Sequence, residues 1–221
     1  MCESVQVALR IRPLVPIETE KGCKDILEVF SELNQIRIGN TDKAFTYNYV
    51  FGTNSTQDQV YDKCVKHMIQ NLFNGYNLTV LAYGQTGSGK THTMGTTYCG
   101  DGEMGVIPRA VTEIFDCAKD NFAVDFTMTV SFMELYQETL YDLLSSKSRE
   151  QCVLDIREDQ NRGIMIPGLT QVPVNCVKDV FDELIRGSSG RATSATNMNA
   201  HSSRSHAIFT MNLLMQNKAD G

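Results

Sequence analysis

The run Gly84-Gln85-Thr86-Gly87-Ser88-Gly89-Lys90-Thr91 fits the pattern G-x-x-x-x-G-K-[ST] at every fixed position. It constrains the chain more than any other feature. Each residue type in it has a physical reason. Gly84, Gly87 and Gly89 can take backbone angles that a Cβ forbids and let the main chain approach a ligand closely. The successive N–H groups of such a loop, from Gln85 and Thr86 through Ser88, point inward as an anion nest. A helix that follows adds its N-terminal partial charge. In this pattern Lys90 reaches the β- and γ-phosphates and the Thr91 hydroxyl can ligate Mg²⁺. Just before the loop stands Leu78-Thr79-Val80-Leu81-Ala82-Tyr83, a short apolar run that reads as a buried strand. A strand entering a glycine-rich loop is the context the pattern requires. The expectation is binding of a nucleoside triphosphate.

The rest of the chain alternates strand and helix signals. Val5, Val7, Leu9 and Ile11 share one face of segment 5–11, and Phe126, Met128, Val130 and Phe132 share one face of 126–132. Period two means strands. Residues 57–73 read as one helix, with Val60, Tyr61, Cys64, Val65, Met68, Ile69, Leu72 and Phe73 on a single stripe. Ser55 is the expected cap, with Asp58 three residues on, and Gly75 suits the end. Helices are also expected at 108–118, with Pro108 in a first helical position, and at 177–186. A polar stretch from Gly187 to Ser205 then leads into a strand at Ala207–Met211. Interleaved strands and helices point to an α/β layered sheet. The stripes are core and name no function.

With 221 residues the chain can bury a real core, as one large domain or two small ones. Its 42% apolar and 21% charged residues match ordinary globular domains. No apolar run approaches the ~20 residues of a membrane-spanning helix, so no membrane insertion is expected. The N-terminus, Met1-Cys2-Glu3-Ser4, lacks the pattern of a secretory signal. The seven cysteines (Cys2, Cys23, Cys64, Cys99, Cys117, Cys152 and Cys176) are scattered, odd in number and without a C-x-x-C pair. That argues against a disulfide framework or zinc site and for a reducing compartment. Most are expected to be buried as small hydrophobes. The net charge of −6 supports neither direct nucleic-acid binding nor binding to an acidic filament.

A second polar constellation is Asn199-Ala200-His201-Ser202-Ser203-Arg204-Ser205-His206. It lies between a helix and a strand and offers hydroxyls suited to Mg²⁺ and phosphate oxygens. It also offers an arginine suited to a bidentate carboxylate pair. This N-x-x-S-S-R-S-H run resembles the first switch of kinesins. Gly84–Thr91 followed by His92-Thr93-Met94 resembles the kinesin phosphate loop. Arg10-Ile11-Arg12-Pro13 resembles the adenine-side R-x-R-P, and Phe45-Thr46-Tyr47-Asn48-Tyr49-Val50-Phe51 the F-x-F-D-x-V-F region. Ser131-Phe132-Met133-Glu134-Leu135-Tyr136-Gln137-Glu138 with Asp142-Leu143-Leu144 resembles S-Y-x-E-I-Y-N-E-x-x-x-D-L-L, and Gly163 to Leu169 the G-x-x-V-x-G-L turn. The motifs keep the family's order over essentially the whole chain. Asn77 to Gly84 and Asp155-Ile156-Arg157-Glu158-Asp159 are most similar to the chromosome-associated kinesin-4 group.

The resemblance implies a kinesin-type phosphate-loop fold: a central mixed sheet flanked by helices, here part of a motor domain that stops before the second switch. It implies ATP and Mg²⁺ as cofactors. Arg10, Arg12, Pro13 and His92 would line the adenine. Gly84, Gln85, Thr86, Gly87, Ser88, Gly89, Lys90 and Thr91 would hold the phosphates, with Thr91 and Ser203 on the metal. Ser202 and Ser203 would close on the γ-phosphate, Asn199 would help order the attacking water, and Arg204 would pair with a glutamate of the second switch. That glutamate, in the family's D-x-A-G-S-E motif, would lie beyond Gly221, as would the main microtubule-binding helices and two strands flanking Thr79–Tyr83. The implied partner is the microtubule, with chromatin or other cargo reached through other regions. The implied location is the cytoplasm and cytoskeleton, with spindle or chromosomes for a kinesin-4 type. Two readings follow: an ATP-hydrolysing microtubule motor seen in part, or a non-catalytic kinesin-like fragment that binds nucleotide weakly or serves only as an interaction module.

Overall fold

A computed structural model describes residues 5–96, 102–160, 163–196 and 205–218. The chain divides into two compact units, Met1–Thr93 and Met94–Gly221.

The first unit is built on a short parallel pair, β1 (Ala8–Arg10) beside β5 (Tyr49–Phe51), with Leu9 opposite Val50. Between them the chain makes helix α1 (Pro16–Glu20) and an antiparallel sheet of β2 (Leu27–Phe30), β3 (Gln35–Ile38) and β4 (Ala44–Thr46). The expected helix at 57–73 forms as two, α2 (Gln57–Cys64) and α3 (Lys66–Leu72). The break is at Val65 alone, at φ −119. The stripe survives it, because Val60, Tyr61, Val65 and Ile69 are all buried. The cap is one residue later than expected: Thr56 Oγ1 accepts from the Gln59 N–H while Gln59 Oε1 accepts from the Thr56 N–H. That is a reciprocal capping box. Gly75, at φ +86, follows the helix end as expected.

The buried strand expected at residues 78–83 is not formed. The segment has no strand partner among the described residues, and Leu81 and Tyr83 are 81% and 95% exposed. It keeps the period-two pattern, with Leu78, Val80 and Ala82 half-buried and Thr79, Leu81 and Tyr83 exposed. The pattern is local to the segment, whereas a strand also needs a neighbour for its N–H and C=O groups. After the loop, α4 (Lys90–Met94) ends this unit.

The second unit begins with α5 (Val106–Asp120), where Pro108 sits inside the first turn. Its main strand is β6 (Val124–Tyr136), which turns at Gln137 and Glu138, both at positive φ, into β7 (Thr139–Asp142). β8 (Val153–Leu154) extends the sheet. β9 (Arg157–Asp159) and β10 (Gly163–Met165) form a separate hairpin. β11 (Val172–Val174) is followed by α6 (Val177–Thr196) and β12 (Ser205–Asn217). β12 runs antiparallel along all of β6, from Ser205↔Tyr136 to Asn217↔Val124. One edge of β6 is thus taken, and its other edge is shared by β11 and β7.

Helix α6 runs ten residues past the expected end at Ile185-Arg186, through Gly187. A glycine there signals a stop locally, but packing overrides it. A Cβ at position 187 would sit 2.3 Å from Phe132 Cδ1 and 3.3 Å from Leu144 Cδ2. Phe132 is 1% exposed, so the missing side chain is what lets α6 lie on β6.

Glu134 is a fully buried carboxylate in this sheet. Arg149 donates to Oε2 at 2.8 Å and Arg191 to Oε1 at 3.1 Å. Burial pushes its pKa up. Hydrogen bonds from Ser205 and Arg149, the Arg149 charge and the Arg191 bond outweigh that and leave it below the ordinary value. The cysteine expectation fails. Of the five described, Cys152 is buried, Cys64 and Cys117 are half-buried, and Cys23 and Cys176 are exposed. Cys176 stands at the start of α6 and Cys23 just after the Gly22 turn, where no core is available.

Gly187→Ala gains helix propensity of about 1 kcal/mol but must displace the Phe132 ring, at a cost of roughly 1–3 kcal/mol. Urea unfolding is expected to show a net loss of stability.

Candidate functional site

The loop expected to hold phosphates has the backbone such a role needs. Gly84, Gly87 and Gly89 take φ values of +155, +79 and +93. A Cβ on Gly84 would lie 2.5 Å from Ser88 Oγ, so the loop folds back on its own start. That Ser88 hydroxyl is buried with no hydrogen-bond partner. Lys90 Nζ donates to the Gly84 carbonyl at 2.6 Å and the Gln85 carbonyl at 2.8 Å. The lysine thus turns its charge across the mouth of the loop, where an anion would be drawn to it. An orphaned hydroxyl, three glycines at positive φ and an ammonium held on the loop's own carbonyls together fit a polyphosphate. The side chains of Gln85, Thr86 and Thr91 are exposed.

The arginines of the R-x-R-P run take different places. Arg10, on β1, donates to Gln57 Oε1 at 2.7 Å, to Thr93 Oγ1 at 3.0 Å and to the Ser55 carbonyl at 3.3 Å. Gln57 in turn donates from Nε2 to the His92 carbonyl at 2.7 Å. β1, the start of α2 and helix α4 are therefore joined by one polar chain. Arg12 reaches the loop itself: its Nε donates to the Gly87 carbonyl at 2.7 Å. Pro13 and His92 are exposed beside these groups. Asn199, Ser202, Ser203 and Arg204 lie outside the described residues. Of that run, Ser205 opens β12, and both its carbonyl and its hydroxyl accept from Arg191, at 3.0 and 2.9 Å.

The kinesin motor domain family model matches residues 10–221. The chain belongs to the kinesin motor domain family. It is 44% identical over 220 residues to the chromosome-associated kinesin KIF4B of Homo sapiens, covering 98% of this chain and 18% of that relative. It is also 44% identical over 217 residues to the kinesin-like protein KIF27 of Mus musculus, covering 97% of this chain and 15% of that relative. A solved fast kinesin, described for its ATPase mechanism and interactions with microtubules, superposes with a TM-score of 0.90 at 37% identity. That match covers 99% of this chain and 62% of the other. The chain therefore spans under a fifth of the length of these curated relatives. The α/β fold expected from the resemblance is the kinesin fold.

Two residues of the kinesin loop's surroundings were not singled out by sequence. Gln57 is 3% exposed and holds two partners, yet as a lone glutamine after Thr56 it carries no local signal. Glu18 grips Arg12, and only its spacing three residues after Val15 hints at a local role. Among the described residues, no group of three His, Cys, Asp or Glu is placed to hold a metal. A metal near this loop would rely on hydroxyl and phosphate oxygens. No helix among them is long and apolar enough to cross a membrane.

Gln57→Leu keeps the volume but removes an acceptor from Arg10 and a donor from the His92 carbonyl. Arg10 keeps Thr93 and the Ser55 carbonyl, whereas the His92 carbonyl loses this donor, at a cost of about 1–3 kcal/mol. Thermal unfolding is expected to show a loss in that range.

Proposed function

We propose that this chain is the ATP-binding portion of a microtubule-based motor ATPase. The observation that carries this reading is the loop Gly84–Thr91, with three glycines at positive φ and Lys90 held on the carbonyls of Gly84 and Gln85. Family membership supports it. Residues 1–221 would be one part of the motor domain, carrying the phosphate loop and first switch. The second switch and the main microtubule-binding helices would be supplied outside these residues.

Lys90 would leave the Gly84 and Gln85 carbonyls for the β- and γ-phosphates, and the loop N–H groups would bind the remaining oxygens. Thr91 and Ser203 would hold Mg²⁺, which would neutralise charge on the phosphates. Arg10, Arg12, Pro13 and His92 would stand on the adenine side. Ser202 and Ser203 would close over the γ-phosphate, Asn199 would orient the attacking water and Arg204 would pair with a carboxylate of the second switch. Catalysis of this kind rests on positioning and electrostatics, with no covalent intermediate. Microtubules would be the partner, and the likeness to chromosome-associated relatives favours a cytoskeletal location with spindle or chromatin as cargo sites.

Lys90→Ala is expected to lower ATP affinity at least tenfold, since an ionic hydrogen bond contributes about 1.5–3 kcal/mol. Fluorescent-nucleotide titration of the purified protein checks this, and unchanged affinity would remove the loop from the site. In the full-length gene product, Ser203→Ala and Arg204→Ala are expected to lower microtubule-stimulated ATP turnover far more than ATP binding, because groups that act at closure affect the chemical step. Equal losses in binding and turnover would make the polar loop a structural element only.

A further inference from the structure

Glu18 makes three contacts at once. Its two oxygens accept from Arg12 Nη1 at 2.7 Å and Nη2 at 2.6 Å, and Oε2 also accepts from the Val15 N–H at 3.0 Å. Arg12 Nη1 donates in addition to the Pro13 carbonyl at 2.9 Å. The guanidinium is planar, so a carboxylate held across one side of it fixes where its other N–H groups point. Of the two left over, one on Nη2 and one on Nε, the Nε donor lies 2.7 Å from the Gly87 carbonyl at the turn of the loop.

The Gly87–Ser88 peptide is thereby held at both ends. Its carbonyl accepts from Arg12, and its N–H, on the opposite edge of the same plane, donates to the Gln85 carbonyl at 3.2 Å. The position needs such a hold. Gly87 and Gly89 both stand at positive φ, and a Cβ on Gly87 would meet nothing within 4 Å. The side where a Cβ would stand is open, so the hold on this peptide comes from its two hydrogen bonds.

We propose that Glu18 is a positioning residue for the phosphate loop: by gripping Arg12 it aims Nε at the Gly87 carbonyl, orients the loop's peptides and so raises affinity for the nucleotide's phosphates. This rests on the reading of Gly84–Thr91 as the phosphate site. Exposed ion pairs usually contribute little, but a bidentate pair with a third acceptor contact is the geometry in which they do. The hydrogen bonds from Arg12 and Val15 lower the Glu18 pKa to about 2, so the grip is complete at neutral pH. The Arg12 pKa is raised in turn by the bond to Glu18.

Electrostatics alone predicts the opposite effect, since removing an acid near a phosphate site favours anion binding. The sign of the change therefore separates the two. The test measures ATP dissociation constants in the full-length gene product for Glu18→Gln, Glu18→Asp, Arg12→Lys, the Glu18→Gln/Arg12→Lys pair and Lys90→Ala. Glu18→Gln is expected to weaken ATP binding about fivefold to tenfold, the net worth of one ordinary intramolecular hydrogen bond. Glu18→Asp keeps the charge but cannot span both nitrogens, and it is expected to weaken binding as well. The double variant is expected to bind no more weakly than Arg12→Lys, because the two residues act as one unit. The melting temperature of nucleotide-free protein is expected to hold. Unchanged or tighter binding in Glu18→Gln, additive losses, or losses that only follow a lower melting temperature would each overturn the proposal. A normal dissociation constant in Lys90→Ala would instead overturn the phosphate-loop reading beneath it.

Discussion

The side chain of Arg10 ties the strand pair to the helices around the phosphate loop. β1 and β5 pair over three residues, and the Asn48 and Tyr49 N–H groups on the Val7 carbonyl and the Ile11 N–H on the Phe51 carbonyl continue the pairing at its ends. The Arg10 guanidinium reaches Gln57, Thr93 and the Ser55 carbonyl, so the strand is tied to α2 and to the helix that follows the phosphate loop. Gln57 completes the tie through the His92 carbonyl. The loop is therefore anchored on its C-terminal side by Arg10 and braced at its turn by Arg12. Two arginines of one R-x-R-P run do different work on the same eight residues.

The second unit solves a comparable problem with packing and a buried charge. Gly187 lets α6 settle against Phe132, and Glu134 below it collects Arg149 and Arg191. Arg191 stands near the end of α6 and also holds Ser205, the first residue of β12. The two stems that flank the polar serine-rich run are thus joined to one carboxylate. Breaking such a cluster by removing one partner is costly, because it leaves a charge buried without compensation.

Local periodicity made much of this legible in the sequence. The stripes of α2, α3 and α5, most of that of α6 and the alternation of β6 depend on residues close in the chain. They are buried or half-buried as read, although the single helix read at 57–73 forms as two and Ile185 of α6 is exposed. The loop itself was legible because glycine, lysine and threonine are each required there for a physical reason. What failed depended on distant partners. Residues 78–83 have strand character but no neighbouring strand among the described residues. Gly187 reads as a stop until Phe132 is known to lie beneath it. Gln57 and Glu18 matter through Arg10 and Arg12, and only the fold supplies the first of those pairings. The cap moved from Ser55 to Thr56 because Gln59, not Asp58, closes the box.

The most direct measurement of the central claim is amide hydrogen exchange across residues 84–94 with and without Mg·ATP. Phosphates seated in the loop would engage its N–H groups, so exchange at Thr86 through Thr91 should slow on addition of nucleotide, and in Lys90→Ala the same slowing should require at least about tenfold more nucleotide. Exchange in this loop that ignores nucleotide, in protein shown by titration to bind it, would place the phosphates elsewhere and contradict the assignment.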